Sequence, residues 1–204
     1  MKRVYFVSLG CPKNLVDSEI LSALLYEAGF EIVEEPKEAK IFLLSTCAFI
    51  KPAIEESIEA ILELAQKKQP GQKLIVIGCL VERYKEKLIP LLPEVDAWFG
   101  FKALPVLPIW LRQWSFPHFA LEGPGWRQED YLKRVPSDFF TAYVKIAEGC
   151  SNHCTFCTIP TIRGRLKSRP IEDIHEEVKL LVAQGIKEVI LVAQETTKKD
   201  KEDN

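Results

Sequence analysis

Three runs in the first half of the chain share one pattern: Val4-Tyr-Phe-Val-Ser-Leu-Gly-Cys11, Ile41-Phe-Leu-Leu-Ser-Thr-Cys47 and Leu74-Ile-Val-Ile-Gly-Cys79. Each is a continuous apolar stretch of the kind expected of a strand buried on both faces, and each closes on a small residue followed by cysteine. A helix is predicted after each strand. The first covers about Asp17 to Ala28, with Ile20, Leu21, Leu24, Leu25 and Ala28 on one face and Gly29 as its stop. The second starts near Pro52, a favoured first-turn residue, and aligns Ile54, Ile58, Ile61, Leu62 and Ala65. The third, Glu82 to Leu88, is cut short by Pro90. Alternating strands and helices imply a parallel sheet with right-handed crossovers, so the strands' C-terminal ends share one edge. Cys11, Cys47 and Cys79, 36 and 32 residues apart, are expected to meet there, at the edge where open α/β sheets bind ligands. The plainer alternative is that cysteine is a common buried residue and ends these strands by chance.

The other three cysteines lie close together in Cys150-Ser-Asn-His-Cys154-Thr-Phe-Cys157. Three thiolates within eight residues can hold three corners of an iron–sulfur cluster, with the missing fourth donor leaving one iron open. A zinc site would close four ligands, and only His153 is near, wedged inside the loop. A disulfide framework fits less well still, because the chain lacks a credible secretory signal: Lys2-Arg3 precedes an apolar run, Val4 to Leu9, that is too brief. Around this loop the alternation resumes. A strand is predicted over Thr141 to Ala147. Pro170 then opens a helix whose Ile171, Ile174, Val178, Leu181 and Val182 form one face before Gly185, and Glu188 to Ala193 is the next strand. The loop would therefore follow the first strand of a βα series, where barrel enzymes keep their chemistry.

Between Phe101 and Ser137, Pro105, Pro108, Pro117, Pro124 and Pro136 punctuate a stretch that also holds Trp110, Trp114 and Trp126, which suggests a linker or short elements packed by their aromatics. A net charge of −2 offers no general attraction to nucleic acid. No apolar run approaches bilayer length, so a soluble protein is expected. The end, Lys198 to Asn204, reads as a solvated tail.

Taken together, Ser8-Leu-Gly-Cys-Pro-Lys-Asn-Leu-Val-Asp-Ser-Glu19, Ser45-Thr-Cys-Ala-Phe-Ile50, Ile77-Gly-Cys-Leu-Val81, Tyr143-Val-Lys-Ile-Ala-Glu-Gly-Cys150 and Cys154-Thr-Phe-Cys-Thr-Ile-Pro160 resemble the radical S-adenosylmethionine methylthiotransferase family. Arg163-Gly164 and Ser168-Arg-Pro-Ile-Glu-Asp173 agree. Pro12-Lys13 resembles the RimO branch, which modifies an aspartate on small-subunit ribosomal protein S twelve, whereas the tRNA-modifying branch typically carries Gln-Met there. The fold class this implies is α/β. An N-terminal parallel open sheet with flanking helices would occupy residues 1–112, a linker 113–137, the first βα units of a partial TIM-type radical barrel 138–197, and a charged tail 198–204.

The resemblance further implies two [4Fe-4S] clusters and S-adenosyl-L-methionine as cofactors. Cys150, Cys154 and Cys157 would hold the cluster that cleaves S-adenosylmethionine, with Phe156 in the loop's aromatic position. Cys11, Cys47 and Cys79 would hold an auxiliary cluster carrying the sulfur to be inserted. Expected partners are ribosomal protein S twelve and an external electron donor, with no membrane and no direct nucleic-acid binding, in the cytoplasm. Arg163 and Arg169 either pair with substrate carboxylates or brace the loop, and bracing is the favoured reading. Family members continue through further barrel strands into a β-rich TRAM domain that these 204 residues do not reach, so little or no methylthio transfer is expected of the chain by itself. A tRNA methylthiotransferase and a non-catalytic iron–sulfur fragment are the rival readings.

Overall fold

The computed structural model describes residues 2–198; of the expected tail, residues 199–204 lie outside the described residues. The N-terminal part runs β1 (Lys2–Ser8), α1 (Pro12–Glu27), β2 (Phe30–Val33), β3 (Ile41–Thr46), α2 (Lys51–Lys67), β4 (Lys73–Gly78), α3 (Cys79–Tyr84), β5 (Ala97–Phe99), α4 (Leu107–Gln113) and β6 (Phe119–Ala120). Its six strands form one wholly parallel sheet in the order β2-β1-β3-β4-β5-β6. Strand β3 is buried throughout and β4 nearly so, as their unbroken apolar runs require. Strand β1 is only partly covered, because its outer neighbour is the short edge strand β2.

Alternate β3 residues enter two different cores, which is why its first four positions are all apolar. Phe42 and Leu44 join Leu74, Val76 and Trp98 beneath Ile61, Leu64, Leu80 and Val81. Ile41 and Leu43 join Ile75, Ile77 and Phe99 beneath Leu21, Leu25, Leu107 and Leu111. Burying each such side chain contributes roughly 1.5–3 kcal/mol.

Several local readings change, and the third helix runs Cys79–Tyr84 rather than Glu82 to Leu88. Helix α1 begins at Pro12 rather than Asp17, since the proline ring presets the first-turn backbone and its missing N–H is no loss there. On α2 the buried stripe includes Ser57 and Leu64, while Leu62 faces solvent. Ser57 is accommodated because its hydroxyl bonds both backbone groups of Cys47. The stretch 113–137, expected as a linker, contributes β6, which pairs Phe119 and Ala120 with Trp98 and Phe99 and extends the first sheet.

The remaining elements are α5 (Gln128–Lys133), β7 (Thr141–Lys145), β8 (Ala147–Glu148), α6 (Ile159–Arg163), β9 (Lys167–Ser168), α7 (Ile171–Ala183) and β10 (Glu188–Val192). Strands β7 and β10 pair in parallel, the start of a βα series, while β8 and β9 form a small antiparallel ribbon around the cysteine loop. Helix α7 covers this sheet with Ile174, Val178 and Leu181. Ile171 and Val182, expected on the same face, are exposed, and Glu177 is buried instead because two arginines meet it. Among the described residues no helix is long and apolar enough to cross a membrane.

Candidate functional site

Strands β1, β3 and β4 are adjacent and parallel, so the residues that follow them lie side by side. Cys11 stands at the N-terminal boundary of α1, Cys47 directly follows β3, and Cys79 opens α3. Asn14 ties these turns together. Its amide nitrogen donates to the carbonyls of Leu9 (3.0 Å) and Thr46 (2.9 Å), and its Oδ1 lies 3.7 Å from the sulfur of Cys79. Thr46 Oγ1 in turn donates to the Ile77 carbonyl at 2.6 Å and joins the ends of β3 and β4. Gly10 has a φ of +100°, and a Cβ there would stand 2.8 Å from Cys47 Cβ and 3.3 Å from its sulfur. Only glycine lets the Cys11 turn approach Cys47 this closely.

The thiols of Cys47 and Cys79 are neighbours, and their pKa values are pushed in opposite directions. The hydrogen bond from Cys79 pulls Cys47 down to about 6 against the opposing effect of burial, while the same bond and burial push Cys79 well above the ordinary thiol range. All six cysteines are free. Among the described residues no three Cys, His, Asp or Glu side chains close on a single metal ion. A cubane makes no such demand, because each of its three protein thiolates binds a different iron. The donor set here, three thiols with one already drawn toward the thiolate, fits a cluster better than a lone ion.

The second trio sits on a loop held at both ends. The N–H of Cys150 donates to the Gly164 carbonyl at 3.1 Å, and that of Leu166 to Ser151 Oγ at 3.1 Å. Gly149 has a φ of +72°, and a Cβ there would meet the Arg165 carbonyl oxygen at 2.2 Å, so the loop and the strand returning from it touch through glycine. The Asn152 N–H points at the Cys150 sulfur (3.4 Å), and the Cys157 N–H closes a turn onto the Cys154 carbonyl. Cys150 is buried, Cys157 half-buried and Cys154 exposed. Phe156 and His153 are exposed.

Between the trios lies a buried charge network that joins the two parts of the chain. Lys145 donates to Asp17 and is paired with Glu148, both at 2.7 Å. Arg163 bonds Asp17 and Glu148, each at 3.0 Å, as well as Asn14 Oδ1, and one of its nitrogens lies 3.6 Å from Cys79 Sγ. Its guanidinium stacks 3.5 Å from the centre of the Phe101 ring. Burial opposes the charge on Glu148, but Arg163 and Lys145 hold its carboxyl far below the usual range. Burial likewise opposes the charges of Lys145 and Arg163, and the surrounding acids more than reverse this.

A second network locks the same interface. Arg134 bonds Glu19, Glu177 and the Tyr143 carbonyl, and Arg169 bonds Glu177, the Lys145 carbonyl and Gln128 while stacking on Tyr131. Arg163 and Arg169 are thus fully engaged by the protein itself, which is the bracing arrangement. Asn14, Asp17, Lys145 and Glu148 escaped the reading of the sequence as site residues. The available signal was acidic Asp17 and Glu19 within a helix that buries Val16, Ile20, Leu21 and Leu25, since buried acids require cations.

Two family models match the chain: "Uncharacterized protein family UPF0004" over residues 3–100 and "Radical SAM superfamily" over residues 144–203. A protein of Syntrophus aciditrophicus named ribosomal protein uS12 methylthiotransferase RimO is 47% identical over 95% of this chain and 45% of its own length. Proteins of the same name from Aquifex aeolicus (47% identical) and Carboxydothermus hydrogenoformans (45% identical) each match 96% of this chain, over 42% and 45% of their own lengths. The chain spans less than half the length of these relatives. With identity of this level along nearly the whole chain and both cysteine trios in the matched regions, the chain belongs to the RimO-type radical S-adenosylmethionine methylthiotransferase family.

Proposed function

We propose that this chain forms the two-cluster portion of an enzyme that methylthiolates an aspartate of ribosomal protein uS12. The observation that carries the reading is the buried network in which Arg163 touches Cys79 of one trio while bonding Glu148, two residues before Cys150 of the other. Cys150, Cys154 and Cys157 hold one [4Fe-4S] cluster, with Phe156 on the exposed side of the loop where S-adenosylmethionine docks, and Cys11, Cys47 and Cys79 hold the second. When bound, the clusters supply the electron for cleaving S-adenosylmethionine and a place to carry the inserted sulfur. The protein's own contribution is to hold both sites on one rigid frame, since proximity and orientation convert separate encounters into one.

Lys13 supports an acidic substrate. It is half-buried beside Cys11, and among the described residues it forms no hydrogen bond or ion pair. An unpartnered ammonium at the edge of the site suits an aspartyl carboxylate rather than an uncharged base. An external electron donor and a cytoplasmic setting accompany this chemistry. Residues 1–112 form the sulfur-carrying unit and 138–197 the start of the radical unit, with the intervening segment serving both.

The test is anaerobic reconstitution of the chain with iron and sulfide, followed by reductant and S-adenosylmethionine, with methionine release measured. Two clusters per chain and methionine release that vanishes in Cys150→Ala support the proposal. One cluster, or release indifferent to Cys150, overturns it.

A further inference from the structure

Arg163 is a charged side chain that is 2% exposed, with both terminal nitrogens engaged inside the protein. It ends α6, which starts just after Cys157, and the next residue, Gly164, accepts the Cys150 N–H. On the other side it reaches Asn14 and Asp17 of α1 and the sulfur of Cys79. Few buried cations touch so many functionally distinct parts of a chain, and the planar five-donor guanidinium is the group able to do so from a fixed position. Asp17 and Glu148 face Arg163, Lys145 and the nearby Lys13.

We propose that Arg163 is a positioning residue that raises the reduction potential of the cluster held by Cys11, Cys47 and Cys79, by directing an N–H and its positive charge at the Cys79 sulfur. The inference rests on the assignment of that trio as a cluster site. Reduction adds negative charge to a cluster, so a fixed cation and a hydrogen bond to a ligand sulfur stabilise the reduced form. Because the same guanidinium is anchored to Glu148 at the start of the radical loop, docking of that loop sets the distance from which Cys79 feels the charge.

The experiment uses the chain with Cys150, Cys154 and Cys157 all changed to alanine, so that any cluster present belongs to the N-terminal trio. Redox titration followed by electron paramagnetic resonance gives its midpoint potential in this parent and with Arg163→Met and Arg163→Lys added. At a fixed potential, Arg163→Met is expected to lower the reduced-to-oxidised ratio at least tenfold, a fall of about 59 mV for a one-electron couple. Arg163→Lys, which keeps the charge but not the fork, should recover part of the loss. If Arg163→Met does not fold, Arg163→Gln takes its place as the neutral variant. Potentials equal in parent, neutral and lysine forms overturn the proposal alone, because bound iron shows that the cluster is there. A parent that binds no iron overturns the cluster assignment and this proposal with it.

Discussion

A guanidinium nitrogen of Arg163 lies 3.6 Å from the sulfur of Cys79, although the two residues are 84 positions apart in the chain. Cys79 opens α3, directly after strand β4 of the first sheet, and Arg163 ends α6 after the second cysteine loop, so their contact makes the interface between the two parts a component of the site. Asp17, Lys145 and Glu148 complete that contact from both sides. Several consequences can be measured.

Removing one member of the network should be costly. Lys145 and Asp17 are 2% and 3% exposed, and Lys145→Met leaves Asp17 and Glu148 to share Arg163 as their remaining ion-pair partner, beside the neutral donors Trp126 and Gln194. A loss of about 3–5 kcal/mol is expected in urea denaturation, since breaking a buried pair strands a charge. Adding Asp17→Asn should recover part of it, as the two residues are directly coupled. A loss below about 1 kcal/mol would show that the network relaxes or takes up water.

The two trios should bind iron independently. With Cys150, Cys154 and Cys157 changed to alanine, the reconstituted chain should keep half its iron, and with Cys11, Cys47 and Cys79 changed it should keep the other half. Full iron retention in either triple variant contradicts the assignment.

Gly10→Ala should damage the N-terminal trio specifically. The substitution places a Cβ 2.8 Å from Cys47 Cβ at a φ of +100°, and the backbone strain alone is worth roughly 1–3 kcal/mol. Iron bound by the N-terminal trio should fall while the second loop keeps its share. An unchanged iron content with unchanged stability would mean that the turn moves freely.

Stability should depend on pH through Asp96, far from the cysteines. Burial alone would raise its carboxyl, but Lys68, Lys73 and the Leu74 N–H all donate to it and hold it below its ordinary 3.8. Because the folded value is depressed, this contribution is present above about 4 and is lost as pH falls through the folded value. The urea midpoints of the natural chain and of Asp96→Asn should therefore differ at pH 7 and converge as the pH falls below that depressed folded value. A gap that is constant with pH would refute the assignment.

Hydrogen exchange should separate the two sheets. Strand β3 is fully buried between two cores, whereas β10, among the described residues, pairs only with β7 and exposes Ile190 and Leu191. Amides of β10 are expected to exchange well before those of β3 and β4, because local opening there exposes little additional apolar surface. Equal protection in the two sheets would contradict this.

The strands that lead to Cys11, Cys47 and Cys79 were legible as apolar runs, but only β3 and β4 are buried on both faces, while β1 is only partly covered. The parallel order then followed from the intervening helices, and the compact trio at Cys150 was visible because its ligands are close in sequence. The short strands β2, β5 and β6 were not visible. Two to four residues carry no period of their own, and pairing with a neighbour is what makes them strands. Likewise Leu62 and Leu64 are equally apolar, and only the direction in which α2 packs decides that Leu64 is buried and Leu62 exposed. The same holds for Asp17, Lys145, Glu148 and Arg163. Charged residues scattered over 147 positions have no local signature, and what makes them one site is the docking of α1 against β7 and α6, which buries them together and obliges them to pair.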